Sequence, residues 1–211
     1  MEIQHQDLSY EIYKRLKSMI LANEFEAGAK LKQEHIAAMF GVSRMPLHRA
    51  FQMLENEMLI ESIPRRGYYV TRIDISQLID AFECREALEG IAARRAAINI
   101  SKEQLKYMKS LFKKFVGATE INVPEYLESD QEFHNMIMKI SGNQILNRLE
   151  MLGNNTIRTY RGGLLRTPLE TMPEHMAIIE ALEKGDSELA EKLVREHTHK
   201  SLDTLRERHK K

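Results

Sequence analysis

Cysteine is nearly missing from this chain. Cys84 is the single thiol in 211 residues, which rules out an intrachain disulfide framework and fits a reducing cytoplasm. Long apolar runs are missing as well: no stretch approaches the roughly 18 residues that a membrane-spanning helix needs. Met1 to Asp7 is polar and lacks the apolar core of a secretory signal. A soluble, cytoplasmic protein is the expectation. An excess of charge of either sign is also lacking, because 31 Lys and Arg meet 31 Asp and Glu. Residues 1–72 hold ten basic against nine acidic side chains, and the remainder 21 against 22. Totals therefore carry no signature of nucleic-acid binding, and any such argument must rest on where the cations stand.

What is present is ordinary globular material, 43% hydrophobic and 29% charged, enough for one large domain or two small ones. Residues 9–22 set Ile12, Leu16, Met19 and Ile20 on one helical stripe, with Ser9 as the expected N-cap. Asn23 to Ala29, containing Gly28, reads as a loop. Gln33 to Phe40 reads as a short second helix ended by Gly41. Ser43 then caps a third helix reaching about Met58, with Leu47, Ala50, Phe51 and Leu54 inward. After it the period changes. Leu59 to Ile63 and Tyr68 to Thr71 are β-rich runs separated by Pro64-Arg65-Arg66-Gly67, a hairpin with a basic tip. Helix, helix, tight turn, helix, hairpin is the order of a winged helix-turn-helix.

From Asp74 onward the pattern is helical, with amphipathic stretches over about 75–98, 102–117, 123–140, 143–160, 173–184 and 187–207, and room for one short extra helix in 161–172. The expected fold class is mainly α: a winged helix-turn-helix followed by an all-α bundle of six or seven helices. The expected division is a DNA-binding domain over 1–72, a linker over 73–76 and a helical effector-binding and dimerisation domain over 77–211.

A recognition helix needs hydrogen-bond donors at its N-terminal end, which enters the major groove. Arg44, His48 and Arg49 supply them. Ser43 and the helix N-terminus suit a phosphate, and Gln33 at the start of the preceding helix suits the DNA backbone. Arg65 and Arg66, beside Gly67, suit a wing tip lying along the minor groove. Singly, each arginine reads equally as a solvated surface charge. Together with the element order they point to DNA.

A second constellation lies in the helical part. Asp130 and His134 stand i,i+4 and leave one face of one helix. His175 opens another helix and His197 lies in the last. Three imidazoles and a carboxylate suit a borderline divalent ion such as Zn²⁺, Ni²⁺ or Mn²⁺, with Zn²⁺ favoured. On spacing alone, Asp-x-x-x-His also reads as a surface pair.

These landmarks resemble a known family. Gly28 with Leu31, Gly41-Val42-Ser43-Arg44-x-Pro46 and Pro64-Arg65-Arg66-Gly67 are similar to the N-terminal domain of GntR-family bacterial regulators. The chain departs from that family at His48-Arg49, where Arg-Glu is usual, at Met53, where an Arg is usual, and at Met58, where a Gly is usual. Arg85-Glu86-Ala87-Leu88-Glu89, Asp130-x-x-Phe133-His134, Ser141-Gly142-Asn143, Glu174-His175-x-x-Ile178 and Gly185-Asp186 resemble the FCD effector domain of the FadR subfamily.

The resemblance implies that Asp130, His134, His175 and His197 hold a metal. The expected mechanism is a homodimer on a palindromic DNA operator that responds to a small carboxylate, with repression released by the effector as the expected direction and activation as the alternative. Arg85, Asn143, Arg158 and Arg161 are the candidate effector contacts. The alternatives are a metal-dependent enzyme using the same four residues, or a constitutive DNA binder with a purely structural metal. No further acid or base is motif-linked to the four, so an enzyme is not expected, and no membrane partner is.

Overall fold

The computed structural model describes residues 8–118, 120–160 and 165–210. Contacts divide the chain into two units, Met1–Leu78 with Asn154–Arg161, and Ile79–Gly153 with Gly162–Lys211.

In the first unit, α1 (Leu8–Leu21), β1 (Lys30–Leu31), α2 (Gln33–Phe40), α3 (Arg44–Asn56), β2 (Ile60–Ile63) and β3 (Gly67–Val70) follow in order. Ile12, Leu16 and Ile20 of α1 pack with Ile36, Leu47, Phe51, Leu54 and Val70, all buried. Ser9 lies inside α1 and is buried, so it does not cap the helix. Gly41 ends α2 in left-handed geometry at φ 65 and donates to Ala38 O, as its lack of a Cβ allows. Ser43 stands at the N-cap of α3, although its side chain makes no capping hydrogen bond.

β3 is the central strand of a three-stranded antiparallel sheet ordered β1-β3-β2. Ile60 pairs with Val70 and Ile63 with Gly67, and Lys30 pairs with Tyr69. The sequence reading missed β1. Two residues carry no period, and only pairing with β3 makes them a strand.

The second unit contains most of α4 (Ile75–Asn99), then α5 (Lys102–Phe112) with a 3₁₀ turn at Lys113–Phe115, α6 (Val123–Ile140), most of α7 (Gln144–Thr159), α8 (Pro168–Glu183) and α9 (Ser187–His209). Ser101 and Gln104 cap α5 reciprocally, Asn122 caps α6, and Asp186 caps α9 through Leu189 N at 3.0 Å. Ala92, Ala96, Phe112, Phe133, Ile137, Ile178 and Val194 lie in its core. Among the described residues no helix is long and apolar enough to cross a membrane.

α8 begins earlier than its apolar pattern suggests. Pro173 reads as a helix start, yet it sits inside the helix, and Pro168 occupies the first turn. The residues 168–172 expected as a possible extra helix are thus the opening of α8. Glu170 Oε2 accepts from Thr167 N and from Thr167 Oγ1, each at 2.7 Å, which closes that end.

Candidate DNA interface and metal centre

α3 presents Arg44, His48 and Arg49 to solvent while Leu47 and Phe51 turn into the core. One helix thus carries an apolar and a cationic face. Arg44 donates to Glu34 at 2.8 Å, but both side chains are exposed, and such a pair contributes little and yields readily to a phosphate. Ser43 is exposed and Gln33 half-buried at the start of α2. At the hairpin turn Arg65 adopts φ 64 and Gly67 φ 99, and Arg65 and Arg66 are exposed. Turn geometry therefore holds both arginines at the tip.

In the second unit, Asp130, His134, His175 and His197 each offer one ligand atom, and these atoms all lie within 4.8 Å of one another. α6 supplies two of them through its i,i+4 spacing, while α8 and α9 supply one each. The three imidazoles are buried and Asp130 is half-exposed. The cluster therefore opens on the carboxylate side.

Each imidazole is held from behind. His134 Nδ1 lies 2.8 Å from Glu89 Oε2 and His197 Nδ1 2.7 Å from Glu174 Oε2. Both glutamates are carboxylates. Burial works against ionisation of Glu89, but Arg85 and His134 outweigh it and bring the carboxyl down to about 2. Burial of Glu174 is likewise overcome by hydrogen bonds from Arg166, His197 and Lys200, which hold it well below the ordinary carboxylate range. A carboxylate only accepts, so both Nδ1 atoms donate, which leaves each Nε2 as the nitrogen available to a metal.

His175 Nδ1 meets the Tyr126 hydroxyl at 3.1 Å. His175 Nε2 is buried, lies 3.2 Å from Asp130 Oδ1 and makes no aligned hydrogen bond. A buried, unsatisfied ring nitrogen costs stability unless something else takes its lone pair. Burial, then the neighbouring His197 and His134, push the His175 pKa well below 6.5, and burial lowers that of His197. Three imidazoles converging beside a carboxylate are the donor set that Zn²⁺ or a similar ion takes, so the residues fit a metal.

The effector candidates separate. Arg85 joins the cluster, donating through Nε to Glu89 Oε1 at 2.7 Å. Asn143 uses its Oδ1 on the first turn of α7, accepting from Ile145 N and Leu146 N at 3.1 and 3.2 Å. Arg158 is exposed on the last turn of α7, in the part of that helix that contacts assign to the first unit. Arg161 lies outside the described residues.

In the sequence Glu89 and Glu174 stand out only as family landmarks with no assigned role, and Tyr126 and Arg166 do not stand out at all. A usable signal existed for two of them. Tyr126, Asp130 and His134 form one i, i+4, i+8 stripe, and Glu89 is i+4 from Arg85.

A winged helix with cations on its recognition helix, in one chain with a helical unit built around a His/Asp cluster, defines a DNA-binding regulator. Comparison agrees. Residues 8–70 match the family described as bacterial regulatory proteins, gntR family, and residues 80–200 match the FCD domain. The chain belongs to the GntR family, carries an FCD domain and is a DNA-binding transcription regulator.

It is 26% identical over 206 residues to the HTH-type transcriptional repressor RspR of Escherichia coli (strain K12), covering 96% of this chain and 90% of that protein. It is 31% identical over 174 residues to a probable D-xylose utilization operon transcriptional repressor of Paenarthrobacter nicotinovorans, covering 81% and 76%. The solved structure of E. coli McbR/YncC superposes with a TM-score of 0.75 at 21% identity, over 96% of this chain and 98% of that one, which supports the fold.

Proposed function

We propose that this regulator is a repressor that responds to a small carboxylate through a divalent metal held by Asp130, His134, His175 and His197. Residues 1–72 bind the operator, 73–76 link, and 77–211 sense the effector and dimerise. The observation that carries this reading is the convergence of four ligand atoms within 4.8 Å, with every imidazole anchored at Nδ1. Zn²⁺ is favoured over Ni²⁺ and Mn²⁺ because nitrogen donors and a single carboxylate suit it. Bound there, the ion supplies Lewis-acid positions open to a carboxylate oxygen. Asp130 is the partly exposed ligand, and Arg85, paired with Glu89 of the cluster, is the cation proposed to add charge-assisted hydrogen bonding to an anion. Asn143, Arg158 and Arg161 are the further effector contacts proposed.

The DNA contacts proposed are Gln33, Ser43, Arg44, His48 and Arg49 at the major groove and Arg65, Arg66 and Gly67 at the wing. A homodimer places two such sets on a palindromic operator. Effector binding shifts the helical domains between arrangements that space the winged helices differently. Two relatives named as repressors support the direction of control. The test combines elemental analysis of the purified protein with operator binding in the presence of small carboxylates, for wild type and His134→Ala. The expected result is about one divalent ion per chain, with metal and effector response lost together in the variant. Retention of both in His134→Ala rejects the assignment.

A further inference from the structure

Glu174 carries more than the hydrogen bond to His197. Arg166 grips it with both guanidinium nitrogens, Nη1 to Oε2 at 2.7 Å and Nη2 to Oε1 at 2.8 Å. The Arg166 side chain is only 10% exposed. Its Nη1 also lies 3.5 Å from the His197 carbonyl oxygen, so one guanidinium touches both the carboxylate and the backbone of the residue that carboxylate orients. Lys200 adds a contact to Oε1 at 2.7 Å, but it is 56% exposed at the end of a flexible stem. On the other side of the cluster Arg85, Glu89 and His134 form the same sequence of contacts at 2.7 and 2.8 Å. Two histidine ligands are therefore backed by a glutamate that is itself backed by an arginine.

We propose that Arg166 is a positioning residue for the metal centre, acting through Glu174 on His197. The inference rests on the proposed metal reading of the four ligands. A carboxylate held by a single contact rotates about its last torsion, whereas a two-pronged guanidinium fixes both oxygens in one plane. With Oε1 and Oε2 fixed, Oε2 stays aimed at His197 Nδ1, and the ring presents Nε2 in one direction. Arg166 is itself anchored, because the next residue, Thr167, is locked to Glu170 at the start of α8. The connection entering α8 thereby sets the aim of a ligand on α9. Residues behind a metal ligand typically control affinity by about 10- to 100-fold.

The test uses the full chain stripped of metal and titrated with Co²⁺, read by its d–d absorption, with Zn²⁺ affinity measured by competition against a chelator. Arg166→Gln is expected to weaken both ions about 10- to 100-fold and to change the Co²⁺ spectrum. Arg166→Lys keeps the charge without the fork and is expected to remain impaired, whereas Lys200→Gln stays close to wild type. Thermal melts of the metal-free variants separate this effect from a general loss of stability. Wild-type affinity and spectrum in Arg166→Gln, or a lower melting point with an unchanged spectrum, overturns the proposal. If wild type itself bound neither ion, the metal reading would fall, and this inference with it. If wild type binds, His134→Ala does not and Arg166→Gln is normal, this inference alone falls.

Discussion

The Tyr126 hydroxyl lies between His175 Nδ1 at 3.1 Å and Thr171 Oγ1 at 2.7 Å, so a hydroxyl from α6 holds the ring of a candidate ligand on α8. Thr171 Oγ1 also lies 3.3 Å from the Thr167 carbonyl oxygen, an acceptor for its proton. In the tautomer that leaves Nε2 free for a metal, His175 Nδ1 donates to Tyr126 and Tyr126 donates to Thr171. In that tautomer His175 is backed by a hydroxyl where His134 and His197 are backed by carboxylates. Burial raises the Tyr126 pKa far above its ordinary value, so the hydroxyl stays neutral and keeps both roles.

Removing that hydroxyl tests the chain directly. Tyr126→Phe leaves the buried His175 Nδ1 without its hydrogen-bond partner, which costs about 1–3 kcal/mol. It also frees the ring to turn, so zinc affinity is expected to fall by at least about tenfold. Urea denaturation of the metal-free protein and chelator competition measure the two effects. A variant with unchanged stability and unchanged affinity shows that His175 is oriented by packing against Phe112, which stacks on it at 4.8 Å, rather than by Tyr126.

Met58 adopts φ 58 just beyond α3, where it donates to Glu55 O at 2.9 Å and closes the helix. Left-handed backbone at a residue with a Cβ costs roughly 1–2 kcal/mol, and the greater freedom of glycine in the unfolded chain returns part of it. The Met58 side chain is 48% exposed and contributes little packing. Met58→Gly is therefore expected to stabilise the protein by about 0.5–1 kcal/mol, seen as a higher urea midpoint with an unchanged slope. A lower midpoint shows that the methionine side chain outweighs the backbone strain.

Met58 also marks where the sequence was readable. Its departure from the family's glycine stood out in the sequence, and the structure supplies the reason that position favours glycine. The recognition helix, the hairpin and the helical stretches were legible because Leu47, Phe51 and Leu54, or Phe133 and Ile137, repeat at helical spacing. The convergence of Asp130, His134, His175 and His197 was legible as residue types, but three helices must fold before their distances exist. Arg166 precedes α8 while Glu174 lies within it, so no helical period joins them, and their pairing follows from how the chain enters α8. Pro173 misled for a physical reason: a proline more often opens a helix than continues one.

Acid is expected to weaken the metal-free protein before its carboxylates titrate. His175 and His197 have native pKa values below the ordinary 6.5 because burial disfavours the imidazolium. As pH falls through about 6.5 the unfolded chain takes up protons that the native chain refuses, so stability falls by up to about 1.4 kcal/mol per pH unit for each proton. Urea midpoints of chelator-treated protein between pH 7.5 and 5.5 should decline, and less steeply in His175→Asn. A flat profile in wild type contradicts the assignment of buried neutral imidazoles.

The wing and the recognition helix should fail differently when their arginines are removed. Arg65 and Arg66 sit at an exposed turn, and contacts made there to phosphates are independent of sequence. Each of Arg65→Ala and Arg66→Ala is expected to weaken operator and unrelated DNA alike and to reduce the slope of log affinity against log salt by about 1. Arg44 and Arg49 emerge at the N-terminal half of α3, the end that reaches base edges. Loss of a base contact costs about 1–3 kcal/mol on the operator and leaves non-specific binding nearly intact. Titrations on operator and scrambled DNA at several salt concentrations separate the two classes. If Arg44→Ala and Arg49→Ala lower both affinities equally, α3 binds backbone only, and specificity must come from DNA shape.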